Sequence, residues 1–73
     1  SMGLGRELSL LTKPEVDRIF ENANFTDDEG KIFKMLSAGM TITQISGKTC
    51  MCERTINRKM LRIKDKICKL GVL

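Results

Sequence analysis

The stretch TITQISGKTCMCERTINRKMLRIKDKICKL, from Thr41 to Leu70, decides how the chain folds. In its second half Ile56, Met60, Ile63, Ile67 and Leu70 recur at steps of 4, 3, 4 and 3. Such spacing lays one apolar stripe along a helix, whereas a strand would alternate every second residue. The stripe predicts a helix of about 17 residues beginning near Glu53 and stopped by Gly71. In the first half, Thr41 with Gln44 three residues on forms a capping-box pattern, where each side chain satisfies an amide that the first helical turn leaves unpaired. A short helix from about Ile42 to Lys48 follows, with Ile42 and Ile45 facing inward. Between the two helices stands Thr49-Cys50-Met51-Cys52, in which Met51 is the only large apolar residue.

Working toward the N-terminus, the same start signal recurs. Thr26 precedes Asp27, Asp28 and Glu29, a capping box with two further carboxylates at the positive end of the helix dipole. Ile32, Phe33, Leu36 and Met40 supply its apolar face, and Gly39 ends it because glycine accepts a left-handed backbone. Phe25 before the cap and Gly30 inside the helix give only half a hydrophobic staple. Thr12, Pro14 and Glu15 open another helix, read from about Lys13 to Asn22 with Val16, Ile19, Phe20 and Ala23 on one face. Leu4 to Leu11, flanked by Gly3 and Gly5, reads as a short helix or an arm. No segment alternates as a strand would. The expected fold is all-α, a small domain of four to five helices with a tri-helical core, divided into residues 1–24 as arm and helix and residues 25–70 as the functional unit.

With 73 residues there is room for one small domain, one that buries only about 60% of its unfolded surface. The longest apolar runs fall far short of the roughly 20 residues that cross a bilayer. There is no His, so the commonest general base and the commonest nitrogen ligand for metals are missing. The three cysteines are odd in number, and Cys50 and Cys52 are too close to staple much. With no His beside them they make a poor zinc set. The expectations are no enzyme, no cofactor and no metal, with free thiols pointing to a cytoplasmic setting. A redox role for Cys50 and Cys52 is a second reading, since a helix N-terminus lowers a thiol pKa. Ser1 before Met2 looks like a protease-cleavage scar, and nothing after it looks like a signal peptide.

Charge is unevenly spread. The chain carries 13 basic and 9 acidic residues, net +4. From Glu53 to Lys69 there are seven basic residues and two acidic ones, so all the positive excess sits on the last helix. A polyanion partner follows, nucleic acid first and an anionic membrane surface second, against the plain alternative of a solvated helix face.

A short capped helix, a tight turn with one apolar plug, then a longer basic helix is the order of a helix-turn-helix. From Phe25 to Leu70, 46 of the 73 residues, the chain resembles the LuxR-type helix-turn-helix domain, which is akin to region four of sigma factors. The residues that carry the resemblance are Phe25-Thr26 with the acidic turn to Glu29, then Ile32, Leu36, Gly39, Met40, Thr41 and Gln44-Ile45. Met51, Glu53-Arg54-Thr55-Ile56, Arg58, Met60, Ile63 and Lys66-Ile67 complete the set. Cys50 stands where the family usually has Gly, and Cys52 where it usually has Ser or Thr.

The resemblance implies a DNA-binding transcriptional regulator of prokaryotic or phage type, with the helix of about 53–69 in the major groove. Arg54, Asn57, Arg58 and Leu61 then face base edges. Asn pairs with adenine, Arg with guanine, and Leu touches a thymine methyl. Thr41, Thr43, Thr55, Lys59, Arg62 and Lys66 suit the phosphates. Double-stranded DNA is the expected partner, with a homodimer or an RNA polymerase contact to extend the few base pairs one domain reads. The core needs some of Leu4, Leu8, Leu11, Val16, Ile19 and Phe20 to cover Phe33 and Ile63. The surplus, with Leu61, Val72 and Leu73, is expected at such a dimer surface, the alternative being that the same residues all fold back onto one core. The alternative is a sigma-like or anti-regulator module that binds RNA polymerase or another protein through a patch around Leu61, Leu4, Leu8 and Leu11.

Overall fold

The computed structural model describes residues 3–71. They form five helices and, among the described residues, no strand: α1 (Leu4–Ser9), α2 (Lys13–Asn22), α3 (Asp27–Ser37), α4 (Ile42–Thr49) and α5 (Glu53–Lys69). Each of the three Thr caps is built as its spacing requires. Thr12, Thr26 and Thr41 accept a hydrogen bond from the amide three residues on, and Glu15, Glu29 and Gln44 accept one from the capping amide in return. The helix boundaries therefore fall where local chemistry sets them, within a residue of the sequence reading.

The ends are equally local. After α3, Gly39 takes φ +89°, which lets Gly39 N donate to Leu36 O and Met40 N to Met35 O. This paired closure satisfies two carbonyls that a helix end leaves orphaned. Asn24 makes the corresponding left-handed turn after α2 at φ 57°.

α3 is the central element, with α1, α2 and α5 all packed on it, while α4 packs on α5. Its Ile32, Phe33 and Leu36 are buried, and they meet Ile19 and Ala23 of α2, Ile45 of α4, and Ile56, Ile63 and Ile67 of α5 in one core. Leu70, expected on the same stripe, lies at 39% exposure, just past the end of the helix. At the α2–α3 crossing the Phe20 ring lies on Gly30, where a Cβ would come within 2.9 Å of it. The half-staple expected of Phe25 and Gly30 is thus replaced by a different pairing. Phe25 stacks on Phe33 at 5.0 Å, and Phe20 covers the glycine.

The N-terminal piece is a helix and not an arm. Leu4 and Leu8 are buried in the common core, and Gly5 lets α1 approach Leu36 closely. The expected surplus of apolar surface is corrected accordingly. Leu4, Leu8 and Ile19 are core and Leu11 and Val16 pack against it, while Phe20, one side of its ring on Gly30, and Leu61 stay exposed. Val72 and Leu73 lie outside the described residues. The physical reason is size: a domain this small has little apolar surface to bury, and α1 adds Leu4 and Leu8 to the core by packing on α3 with Gly5 against Leu36. No described helix is long and apolar enough to cross a membrane.

Candidate nucleic-acid interface

The α4–α5 connection is fixed by side chains that close on the backbone. Thr49 Oγ1 donates to Ile45 O at 2.7 Å and accepts from Met51 N at 3.3 Å, while Ser46 Oγ donates to Met51 O at 2.7 Å. Met51 is half-buried, as a plug between the two helices would be. Cys50 takes the left-handed conformation at φ 59°, the position where glycine would be unstrained. One further bond ties the two helix starts together, from Thr43 Oγ1 to Glu53 Oε2 at 3.2 Å. Together these contacts hold α5 at a set angle to α4.

α5 starts after Cys52, whose side chain makes no cap bond to the backbone. Its thiol lies 3.3 Å from Thr55 Oγ1. The Thr55 hydroxyl first, then the backbone amides of Thr55 and Arg54, hold the exposed Cys52 thiol below its ordinary pKa.

The buried Ile56, Ile63 and Ile67 define the inner face of α5, so the residues opposite must face water. Arg54, Asn57, Arg58 and Leu61 all do. They line one shallow cleft with Lys64, half-buried Met60, and Gly3 and buried Leu4 at the start of α1. Leu4 and Met60 at this face went unread in the sequence, because only the docking of α1 brings them beside α5. Arg62 is exposed as well, and Arg54, Arg58, Arg62 and Lys64 form no ion pair among the described residues.

The six expected phosphate residues do not stay together. Lys66 has partners within the chain: its ammonium is paired with Glu29 and bonded to Asn24 O at 3.0 Å, holding α5 to the start of α3. A buried carboxylate needs a cation, and Lys66 supplies it. Lys59 lies 3.8 Å from Asp28 on the same side. The Thr43 hydroxyl is directed to Glu53 and the Thr41 hydroxyl caps α4, while half-buried Thr55 sits beside Cys52. Arg62 alone of the set is both exposed and unpaired.

The two sides of α5 thus differ. On the side toward α3, the cations meet Asp28 and Glu29. On the outer face Arg54, Arg58 and Lys64 form no ion pair among the described residues, while the exposed Asp65 is bonded to Lys69 at 3.1 Å and Glu53 to Thr43; Arg62 lies toward α3, in a cleft that it lines with Arg58, Lys59, Thr26 and Glu29. Comparison of the chain with protein-family models, curated proteins and solved structures gave no match. The functional reading rests on the chain's own chemistry. No group of three or more His, Cys, Asp or Glu is placed to hold a metal ion among the described residues.

Proposed function

We propose that the chain is a sequence-specific module for double-stranded DNA, acting in transcriptional regulation. In this reading α4 and α5 work as a helix-turn-helix, and α5 lies in the major groove, whose width admits one helix. The observation that carries it is the outer face of α5. Arg54, Arg58 and Lys64 stand there exposed and without an ion pair among the described residues, with Asn57 among them, and exposed Arg62 flanks them on the side toward α3. Each long cation loses side-chain freedom when ordered, so an unpaired group of this kind gains most from a partner that brings many anions at once. Asn57 and Arg58 supply the two-pronged bonding geometry that reads adenine and guanine edges. Arg62 and Lys64 supply the sequence-independent part. A module of this size reads few base pairs, so a second copy or a polymerase contact extends the site.

The protein-docking alternative required an exposed patch of Leu4, Leu8, Leu11 and Leu61. With Leu4 and Leu8 buried, Leu61 stands without them, and DNA is the better-supported partner. The test is a pair of substitutions read on specific and random duplexes. Arg58→Ala should cost about 1–3 kcal/mol on the preferred duplex and relax the preference at one or two positions. Arg62→Ala should weaken all duplexes alike and reduce the salt slope by about 1. Identical behaviour of the two variants on both kinds of duplex contradicts the assignment of base-reading and phosphate roles.

A further inference from the structure

Apolar side chains of two different helices meet where α1 docks beside α5. Leu4 of α1 is almost fully covered, Met60 of α5 is half-buried, and Leu61 is 71% exposed. They line one open cleft of about 560 Å³ together with Arg54, Arg58 and Lys64. That size falls within the roughly 300–1,000 Å³ of small-molecule sites. No acidic residue lines the cleft, and its three cations form no ion pair among the described residues. The cleft over Phe20 and Phe25 differs, because Glu21 and Asp27 share its rim with Lys31 and Lys34 and it favours neither sign of charge. Recognition of a duplex employs the cations and Asn57, and leaves the wall of Leu4 and Met60 without a task.

We propose that this cleft is a binding site for a small amphiphilic anion, a phosphate, sulfonate or carboxylate carried on an alkyl or aromatic body. The wall of Leu4, Met60 and Leu61 takes the body, and the guanidinium groups of Arg54 and Arg58 donate to the head, which their forked geometry suits. Neither half is enough alone. Exposed ion pairs in water are worth little, and an open wall of three side chains grips an alkyl chain weakly. When both are on one molecule, the second contact forms at no further cost of bringing partners together. The site exists only because α1 docks, since Leu4 stands on α1.

Binding of the anion does not depend on the DNA reading, but its consequence does. Arg54, Asn57 and Arg58 line this cleft and are also the proposed base-reading set. Anion and duplex therefore exclude each other, and the anion acts as an effector that releases DNA.

The experiment uses the full chain without DNA and monomeric octyl phosphate as the probe, with inorganic phosphate and octan-1-ol as its two halves. Calorimetry should show one octyl phosphate per chain, bound at least about tenfold more tightly than either half. Leu61→Ala should melt like the parent because the side chain is exposed, and should lose about tenfold in probe affinity, roughly the value of two methylene-sized contacts. Arg58→Gln should also lose about tenfold for the probe, as loss of a charged hydrogen bond does, and leave octan-1-ol binding unchanged. Leu10→Ala removes a leucine of similar exposure outside the cleft and should bind like the parent. Three results overturn the site: octyl phosphate bound no better than its halves, an affinity that Leu61→Ala leaves unchanged, or an equal loss in Leu10→Ala. Tighter binding to phosphatidylglycerol vesicles than to the free probe also overturns it, in favour of a membrane surface. Against a selected duplex, octyl phosphate should displace DNA, and a duplex that stays bound at saturating probe overturns the effector role. Selection of no duplex removes the DNA reading and the effector role with it, while the calorimetry still decides the site.

Discussion

Lys66 of α5 and Glu29 of α3 are ion-paired across 37 residues of sequence, and Glu29 is 2% exposed. The carboxylate has two tasks, since it also accepts the Thr26 amide in the capping box at 3.0 Å. Burial pushes the Glu29 pKa up, but the Lys66 ammonium and the Thr26 bonds outweigh it, and the net shift is downward. A depressed carboxylate pKa adds stability that is complete above the ordinary unfolded value of about 4.3. That stability is lost as pH falls from there through the lower folded value. Thermal midpoints should therefore drop below about pH 4.3. Glu29→Gln keeps a capping side chain and removes the charge. It should cost about 1–3 kcal/mol at neutral pH and give a shallower acid limb. Urea melts at pH 7 and pH 3.5 measure both effects, and an acid limb as steep as the parent's would show that the pair does not contribute.

Because Lys66 is engaged with Glu29, its removal should be felt in stability before DNA affinity. Lys66→Ala should lower the melting temperature while leaving the salt slope of DNA binding close to the parent's. A slope reduced by about one, as expected for loss of a phosphate contact, with an unchanged melt would return Lys66 to the DNA-facing set.

Two backbone positions carry avoidable cost. Gly47 lies within α4 with nothing within 4 Å of where a Cβ would stand. Gly47→Ala should stabilise by about 0.5–1 kcal/mol through helix propensity and the stiffer unfolded chain. Cys50 holds a left-handed φ of 59°. Such a conformation costs a side-chain-bearing residue roughly 1–2 kcal/mol, so Cys50→Gly should gain part of that, about 0.5–1 kcal/mol. Calorimetric melts check each change, and a fall in midpoint for either would mean that the turn carries strain of another origin.

Ile56 and Ile63 are fully buried on the inner face of α5. Replacing either by Ala should cost about 2–4 kcal/mol, a large share of the 5–15 kcal/mol total of a small domain. Denaturant titration reads the loss. A change under about 0.5 kcal/mol would contradict the orientation of α5 on which its outer face depends.

The helix limits were legible because Thr12-Glu15, Thr26-Glu29 and Thr41-Gln44 act within three residues, where sequence and space coincide. The exposure of Arg54, Asn57 and Arg58 followed from the Ile56–Ile63–Ile67 stripe for the same reason. Docking of α1 was not legible. Six residues beside glycines have little helical preference of their own, and only burial of Leu4 and Leu8 against α3 gives them a place. The Lys66–Glu29 pair was not legible because its partners are 37 residues apart, a distance at which charge pattern along one helix carries no information.

The central claim is that the outer face of α5 reads duplex sequence. The most direct measurement is affinity selection from random double-stranded DNA with the full chain at two salt concentrations. The expected result is one enriched sequence at both salts, with affinity falling steeply between them, and no enrichment by the Arg54→Ala/Asn57→Ala/Arg58→Ala variant. An absence of binding, or binding with no enriched sequence in the parent chain, would contradict it.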